Sequence, residues 1–243
     1  MPENYFGEEI ATRYDEETVG FEPELLDPVV DFLAALAGDG AALELGIGTG
    51  RVAVPLAARG VEVHGIDLSE AMVAQLRAKP AAADIGVTMG DFATTKVDRT
   101  FALVYLVCNT IMNLTTQDAQ VACFQNVAEH LGPGGCFVIE VVLPDLQRLP
   151  FGEKLRLFDL GERHVGIDEY DVANQGLISH HYTNRGGGFE KLSIPFRYVW
   201  PSELDLMARL AGMTRRERWS SWKRDPFTST SEKLVAVWEK PES

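Results

Sequence analysis

Three carboxylates and a run of glycines mark where this chain could do chemistry. Glu44-Leu-Gly46-Ile-Gly48-Thr-Gly50-Arg51 stands between an apolar run of strand length and a helical one. Glycine is required where a backbone turns tightly and a ligand approaches through space that a Cβ would fill. A dinucleotide-binding loop has the form G-x-G-x-x-G, whereas here the third glycine comes two residues after the second and Arg51 stands where that pattern needs glycine. An acid two residues before the first glycine also suits a cationic ligand better than a pyrophosphate. Asp67 closes the run Gly65-Ile-Asp67-Leu68-Ser69. A carboxylate about 20 residues past such a loop accepts from ribose hydroxyls in NAD sites, and Asp67 also reads as a helix-capping acid. The third acid, Asp91, lies between Gly90 and Phe92. Cys108, Cys123 and Cys136 lack metal-ligand spacing, so reduced thiols and no metal site are expected.

Such acids need strand ends to hold them. Leu25, Leu26, Val29, Val30, Leu33 and Leu36 recur at helical spacing before Gly38, which predicts an amphipathic helix over 24–36. Strands are then expected over 41–45, 61–67, 87–89, 101–107 and 136–142. Helices alternate with them over 51–58, 70–78 with Ser69 as N-cap, and 117–131. Apolar strands without polar alternation, separated by helices, predict a doubly wound α/β fold with a mostly parallel sheet covered on both faces. After Pro144 the pattern changes. Strand-like stretches over 155–160, 164–170, 177–183 and 189–199, separated by turn signals at Gly161, 174–176 and 184–188, predict an insert of antiparallel hairpins. A helix over 201–211, begun by Pro201 and stopped by Gly212, leads to strands over 214–222 and 233–239.

The run of residues 44–50 resembles the first motif of the class I S-adenosylmethionine-dependent methyltransferases, acid-x-G-x-G-x-G. In that family the acid ending the second strand accepts from both ribose hydroxyls, which the resemblance implies for Asp67. Gly90-Asp91-Phe92 resembles the family's adenine-binding turn, the acid meeting the amino group and the aromatic residue flanking the ring. Val107 and Cys108 close the fourth strand, where family members place main-chain carbonyls near the methionine moiety, and residues 131–135 match the glycine-rich turn before the fifth strand. Residues 11–15, Ala-Thr-Arg-Tyr-Asp, resemble the start of several small-molecule methyltransferases, where the aromatic residue closes over cofactor and substrate. That implies a lid role for Tyr14, which also reads as a surface tyrosine. The resemblance covers residues 41–142 closely and 200–239 more weakly.

It implies a seven-stranded Rossmann-like sheet of order 3-2-1-4-5-7-6 with the seventh strand antiparallel. It implies S-adenosyl-L-methionine as cofactor and S-adenosyl-L-homocysteine as product. The implied cofactor residues are Tyr14, Glu44, Gly46, Gly48, Gly50, Arg51, Asp67, Leu68, Asp91, Phe92, Val107 and Cys108. The expected division is an N-terminal helical lid segment (1–40), a cofactor-binding domain (41–145 and 200–243) and a substrate-covering β insert (146–199).

Methyl transfer from a sulfonium is an in-line displacement with a neutral leaving group, so alignment in a dry pocket is the main task. An amine need only be presented unprotonated, whereas a hydroxyl needs a general base. His64 lies inside a strand and His130 at a helix end, where a cation suits the macrodipole. The insert carries His164, His180 and His181, and in related small-molecule enzymes this region lines the substrate pocket. His180 and His181 are the expected catalytic bases, on opposite faces of one strand. Tyr14, Asn109, Asn113, Tyr182, Arg197 and Tyr198 are the expected substrate residues. Each insert histidine also reads as an ordinary polar strand residue, and Arg197 and Tyr198 as residues solvating the sheet.

The net charge is −14, and residues 1–31 hold ten acids against Arg13 alone. A chain this acidic repels phosphate backbones, which argues against nucleic acid as substrate and for a cationic or neutral acceptor such as an amine. Arg215, Arg216, Arg218, Lys223 and Arg224 form one basic cluster, read as a solvated face on a late strand. No apolar stretch has the length of a membrane helix, and residues 1–10 lack the basic and apolar parts of a signal peptide, so a cytoplasmic protein without membrane contact is expected. The expected activity is methylation of a nitrogen or oxygen of a small metabolite. A catalytically silent S-adenosylmethionine-binding regulatory protein and an NAD-dependent oxidoreductase are the alternatives. Oligomeric state and acceptor identity are not legible.

Overall fold

A computed structural model describes residues 5–17 and 22–242. Residues 1–4 and 18–21 of the expected lid segment, Glu3 among its acids, lie outside the described residues, as does Ser243. Two short helices, α1 (Glu8–Ala11) and α2 (Tyr14–Glu17), precede α3 (Pro23–Ala37). The alternation then runs β1 (Ala42–Leu45), α4 (Ala53–Ala58), β2 (Val63–Asp67), α5 (Glu70–Arg77), β3 (Gly86–Met89), β4 (Phe101–Leu106), α6 (Gln117–His130) and β5 (Leu131–Val142). Four strands follow, β6 (Leu155–Leu160), β7 (His164–Asp171), β8 (Gly176–Asn184) and β9 (Phe189–Arg197). The chain closes with α7 (Pro201–Leu210), β10 (Thr214–Trp219) and β11 (Lys233–Glu239).

The main sheet has seven strands in the order β10-β11-β5-β4-β1-β2-β3. β11 runs antiparallel to both neighbours, while β5, β4, β1, β2 and β3 are mutually parallel. This is the Rossmann-like order implied by the family resemblance. Its strands read as unbroken apolar runs because both faces are buried. Leu43, Val104, Leu106, Phe137 and Ile139 pack on the face of α6 and α7, with Phe124 and Trp238. Ala42, Leu103, Tyr105, Val138 and Val237 pack on the other face, against Val30, Phe32 and Leu33 of α3 and Leu56 of α4. Parallel strands present their carboxyl ends together, so the loops after β1, β2, β3 and β4 meet along one edge.

The insert is a sheet of its own, β6-β7-β8-β9, fully antiparallel. It is docked through a buried network at its base. Arg197 is 6% exposed, and its guanidinium donates to Gln120 Oε1 of α6 and, at 2.7 Å, to Glu203 Oε1 of α7.

Two boundaries differ from expectation by more than two residues. β5 begins at Leu131 rather than 136, because the glycine stretch is itself paired: Gly134 N donates to Lys240 O at 3.0 Å and Lys240 N to Gly135 O at 2.9 Å. The strand expected to reach 222 stops at Trp219, where Ser220 N donates to Asp225 O to close a turn. The three arginines of the basic cluster that lie on it are ion-paired: Arg215 and Arg218 reach Asp205, and Arg216 reaches Glu239. Among the described residues no helix is long and apolar enough to cross a membrane.

Candidate active site

β1 ends at Leu45 and the chain turns through Gly46, Gly48 and Gly50, all with positive φ (+73°, +54° and +80°). A Cβ on Gly46 would meet Thr110 Cγ2 at 2.6 Å, and one on Gly50 would meet Leu76 Cδ1 at 2.3 Å. Conformation and proximity both demand glycine. The tight turn sets Glu44 and Asp67 at neighbouring strand ends.

Glu44 is 4% exposed, and its Oε2 accepts from Tyr105 Oη at 2.9 Å. Burial pushes its pKa up to about 8, against the lowering effects of the Tyr105 hydrogen bond and the nearby Arg51. Asp67 is 9% exposed; its Oδ2 accepts from Gly48 N at 2.6 Å and its Oδ1 from Ser69 N at 2.8 Å. Burial raises its carboxyl too, opposed by those amides. Asp91 Oδ1 accepts from Ala93 N at 2.9 Å, which fixes the turn carrying Phe92. After β4 the chain places two successive residues in the left-handed region, Cys108 (φ +58°) and Asn109 (φ +62°). The turn is pinned to β5, since Cys108 N donates to Glu140 Oε2 at 3.0 Å and Val142 N to Asn109 Oδ1 at 2.6 Å.

Together these loops line a cavity with about 1020 Å³ of open space. Every expected cofactor residue except Gly50 lines it: Tyr14, Glu44, Gly46, Gly48, Arg51, Asp67, Leu68, Asp91, Phe92, Val107 and Cys108. Gly50 stands behind the loop, against Leu76. The N-terminal segment contributes Tyr5, Phe6 and Tyr14 to the same lining. It is tied down at two points. Ser69 Oγ donates to Phe6 O at 2.5 Å, and Asp15 accepts from Thr49 Oγ1 at 2.5 Å while pairing with Lys79 Nζ at 2.5 Å. Phe6 and Tyr14 meet edge to face, and burial raises the Tyr14 phenol. Sequence reasoning missed Phe6 as part of this lining and Thr49 and Ser69 as partners of the segment. Asp15 beside Tyr14 was the available signal.

A second cavity, with about 940 Å³ of open space, lies under the inner face of the insert sheet. The short 3₁₀ turn Thr110–Asn113 and the residue before it divide the two spaces: Thr110 and Asn113 face the first, Asn109 and Met112 the second. Asp168 of β7 and Ser179 and His181 of β8 line the second cavity with Arg156, Tyr170 and Tyr198. His181 therefore reaches a cavity and His180 does not. His180 sits on the opposite face, bonded to Ser193 Oγ at 2.8 Å and Glu169 Oε2 at 3.4 Å. Tyr182 shares that outer side, under Lys191, and lines neither cavity. Arg197 is likewise outside both, its charge committed to the docking network. Asp168, Ser179 and Arg156 were missed; the alternation Gly166, Asp168, Tyr170 opposite His181, Ser179, Leu177 was the signal, because those pairs share a face.

The first cavity suits a ligand bearing an ammonium, a vicinal diol and an amine-substituted base. Acceptor groups stand at three strand ends, and burial holds the Glu44 carboxyl above its usual range. The Methyltransferase domain family model matches residues 42–135. The chain is 28% identical over 201 residues to the cypemycin N-terminal methyltransferase of Streptomyces sp, covering 82% of each chain. The CcbJ methyltransferase from Streptomyces caelestis shares 36% identity and superposes with a TM-score of 0.86 over 97% of this chain and 98% of that one. The chain belongs to the class I S-adenosylmethionine-dependent methyltransferases. The methyltransferase fold extends to CalS10, an amino pentose methyltransferase from Micromonospora echinaspora with S-adenosylmethionine bound. That chain has a TM-score of 0.70 at 22% identity, over 98% of this chain and 99% of that one. S-Adenosylmethionine is the cofactor of this methyltransferase.

Proposed function

We propose that this methyltransferase acts on a nitrogen, or else an oxygen, of a small acceptor held in the second cavity. The observation that carries this is Asp168. Its carboxyl lines an aromatic-walled space that shares the turn at residues 109–113 with the cofactor cavity. Burial raises this carboxyl, while the Ser179 hydrogen bond and Arg156 oppose the rise, so it is suited to accept a proton from a bound amine or hydroxyl. Nitrogen is favoured by the acidic N-terminal segment and by the similarity to the cypemycin N-terminal methyltransferase.

In this reading Glu44 and Arg51 hold the amino-acid end of the cofactor, Asp67 the ribose, and Asp91 with Phe92 the adenine. When bound, the cofactor supplies a methyl group on a sulfonium whose departure leaves a neutral thioether. The chain's own work is alignment and exclusion of water. Phe6 and Tyr14 roof the cofactor cavity, Asn109 and Asn113 orient the acceptor from either side of the dividing turn, and Asp168 takes its proton. His181 acts behind Asp168. The segment 1–40 serves as lid and the insert 146–199 as acceptor cover on the cofactor domain 41–145 and 200–243.

Release of S-adenosylhomocysteine across a panel of amino sugars, peptides with free N-termini and matched hydroxyl compounds tests this. Amines should support turnover, and Asp168→Asn should lower kcat/KM roughly 100-fold with cofactor affinity unchanged. Equal turnover by Asp168→Asn would remove the second cavity from the reaction.

A further inference from the structure

We propose that Ser179, His181, His164 and Asp159 form a proton relay that carries the proton of each methyl transfer from Asp168 to the protein surface. The inference rests on the acceptor occupying the second cavity. Whether a protonated amine or a hydroxyl is methylated, one proton leaves the acceptor in every turnover, and Asp168 must be cleared of it before the next.

The connections are continuous. Asp168 and Ser179 are directly paired across β7 and β8, with their side chains hydrogen-bonded. Ser179 Oγ lies 3.2 Å from His181 Nε2, His181 Nδ1 lies 3.0 Å from His164 Nε2, and His164 Nδ1 lies 2.5 Å from Asp159 Oδ2. Which ring nitrogen carries hydrogen is set by the partner of the other, and here one assignment satisfies every link. Asp159 fixes hydrogen on His164 Nδ1, the bare His164 Nε2 accepts from His181 Nδ1, and the bare His181 Nε2 accepts from the serine hydroxyl. When Asp168 is protonated, its hydroxyl donates to Ser179 Oγ. All donors then point outward. A shift of one hydrogen per link leaves Asp168 ionised and Asp159 protonated. The Asp159 side chain is 49% exposed and gives the proton to water. Each ring returns to its starting tautomer by taking one hydrogen at Nδ1 from water and giving the one on Nε2 back to water, His164 at the surface, where its ring is 32% exposed, and His181 in the cavity it lines.

The surroundings favour a neutral His181 ring. Burial lowers His181 below the usual imidazole range, reinforced by His164 and by His180 on the other face. Phe158 covers the pair, its ring 5.6 Å from His181 and 6.4 Å from His164. Gly166, opposite His181, leaves the room for it: a Cβ there would lie 2.3 Å from Phe158 Cε2. Arg156, paired with Asp145 at 2.5 Å, is the cation beside Asp168, and His180 is engaged with Ser193 and Glu169.

Long-range ¹H–¹⁵N spectra of the histidine rings test the chain without any acceptor. Both rings should be Nδ1–H tautomers in the native protein, and Ser179→Ala and Asp159→Asn should each move the signals of both. Rings that titrate independently, or a His164 signal indifferent to Ser179→Ala, would overturn the relay. In turnover of a panel amine, Ser179→Ala should lower kcat roughly 10- to 100-fold near neutral pH with KM unchanged. The loss should shrink as pH rises or as imidazole is added. A Ser179→Ala pH profile parallel to the native one overturns the relay while Asp168→Asn still reports on the acceptor site, so the two readings fail separately.

Discussion

Between pH about 4.5 and 8 the folded chain keeps a proton on Glu44 that the unfolded chain has lost, because burial raises this carboxyl from 4.5 to about 8. The native state then binds more protons than the unfolded one, so this group's contribution to stability falls as pH rises through that window. Cofactor-free protein should lose roughly 3–5 kcal/mol from this source between pH 5 and 8, and Glu44→Gln should flatten the slope in denaturant melts. A bound ammonium favours the carboxylate, so cofactor binding at pH 7 should release close to one proton. Calorimetry in buffers of differing ionisation enthalpy reads that number, and Glu44→Gln should abolish it. Asp67→Ala should weaken S-adenosylmethionine and S-adenosylhomocysteine roughly 10- to 100-fold, with NADH bound by neither protein. Unchanged affinity would reassign the acid. The acids were legible because glycine spacing places them at strand ends. That His181 rather than His180 reaches a cavity was not, since alternation separates the two faces without saying which one is covered.

The elements that hold the site are stabilised away from it. Arg197 illustrates the distinction: a charged residue beside a predicted pocket reads equally as a ligand clamp or as a brace, and its 6% exposure with partners on α6 and α7 makes it a brace. Arg197→Ala leaves Glu203 buried without its cation and should cost roughly 3–5 kcal/mol in thermal or denaturant unfolding. The acceptor KM of the surviving folded protein should stay near the native value. A selective rise in KM at unchanged stability would restore the clamp. The main sheet was readable from unbroken apolar strands such as Phe101–Leu106, and α5 from the Ser69 cap, whose Oγ accepts from Met72 N at 3.2 Å. The β5 start was not, because glycines that read as a loop are recruited into pairing by a segment more than 100 residues later.

At the scale of the whole molecule, the charge of −14 acts as a field rather than through single contacts. If the acceptor is an amine, its KM should rise about three- to tenfold when salt increases from about 0.05 to 0.5 M, while a hydroxyl analogue stays flat. Equal salt dependence for both would detach the acidity from acceptor choice. The strand order carries a different consequence. β11 lies between β5 and β10, yet it is synthesised after both. Between completion of β5 at Val142 and emergence of Glu239, β5 presents an apolar, unpaired edge, and β10 once made has no neighbour, so the nascent chain carries an open β-edge over that stretch of synthesis. Premature termination before β11 should yield aggregation-prone fragments that need chaperone protection, rather than a smaller folded enzyme.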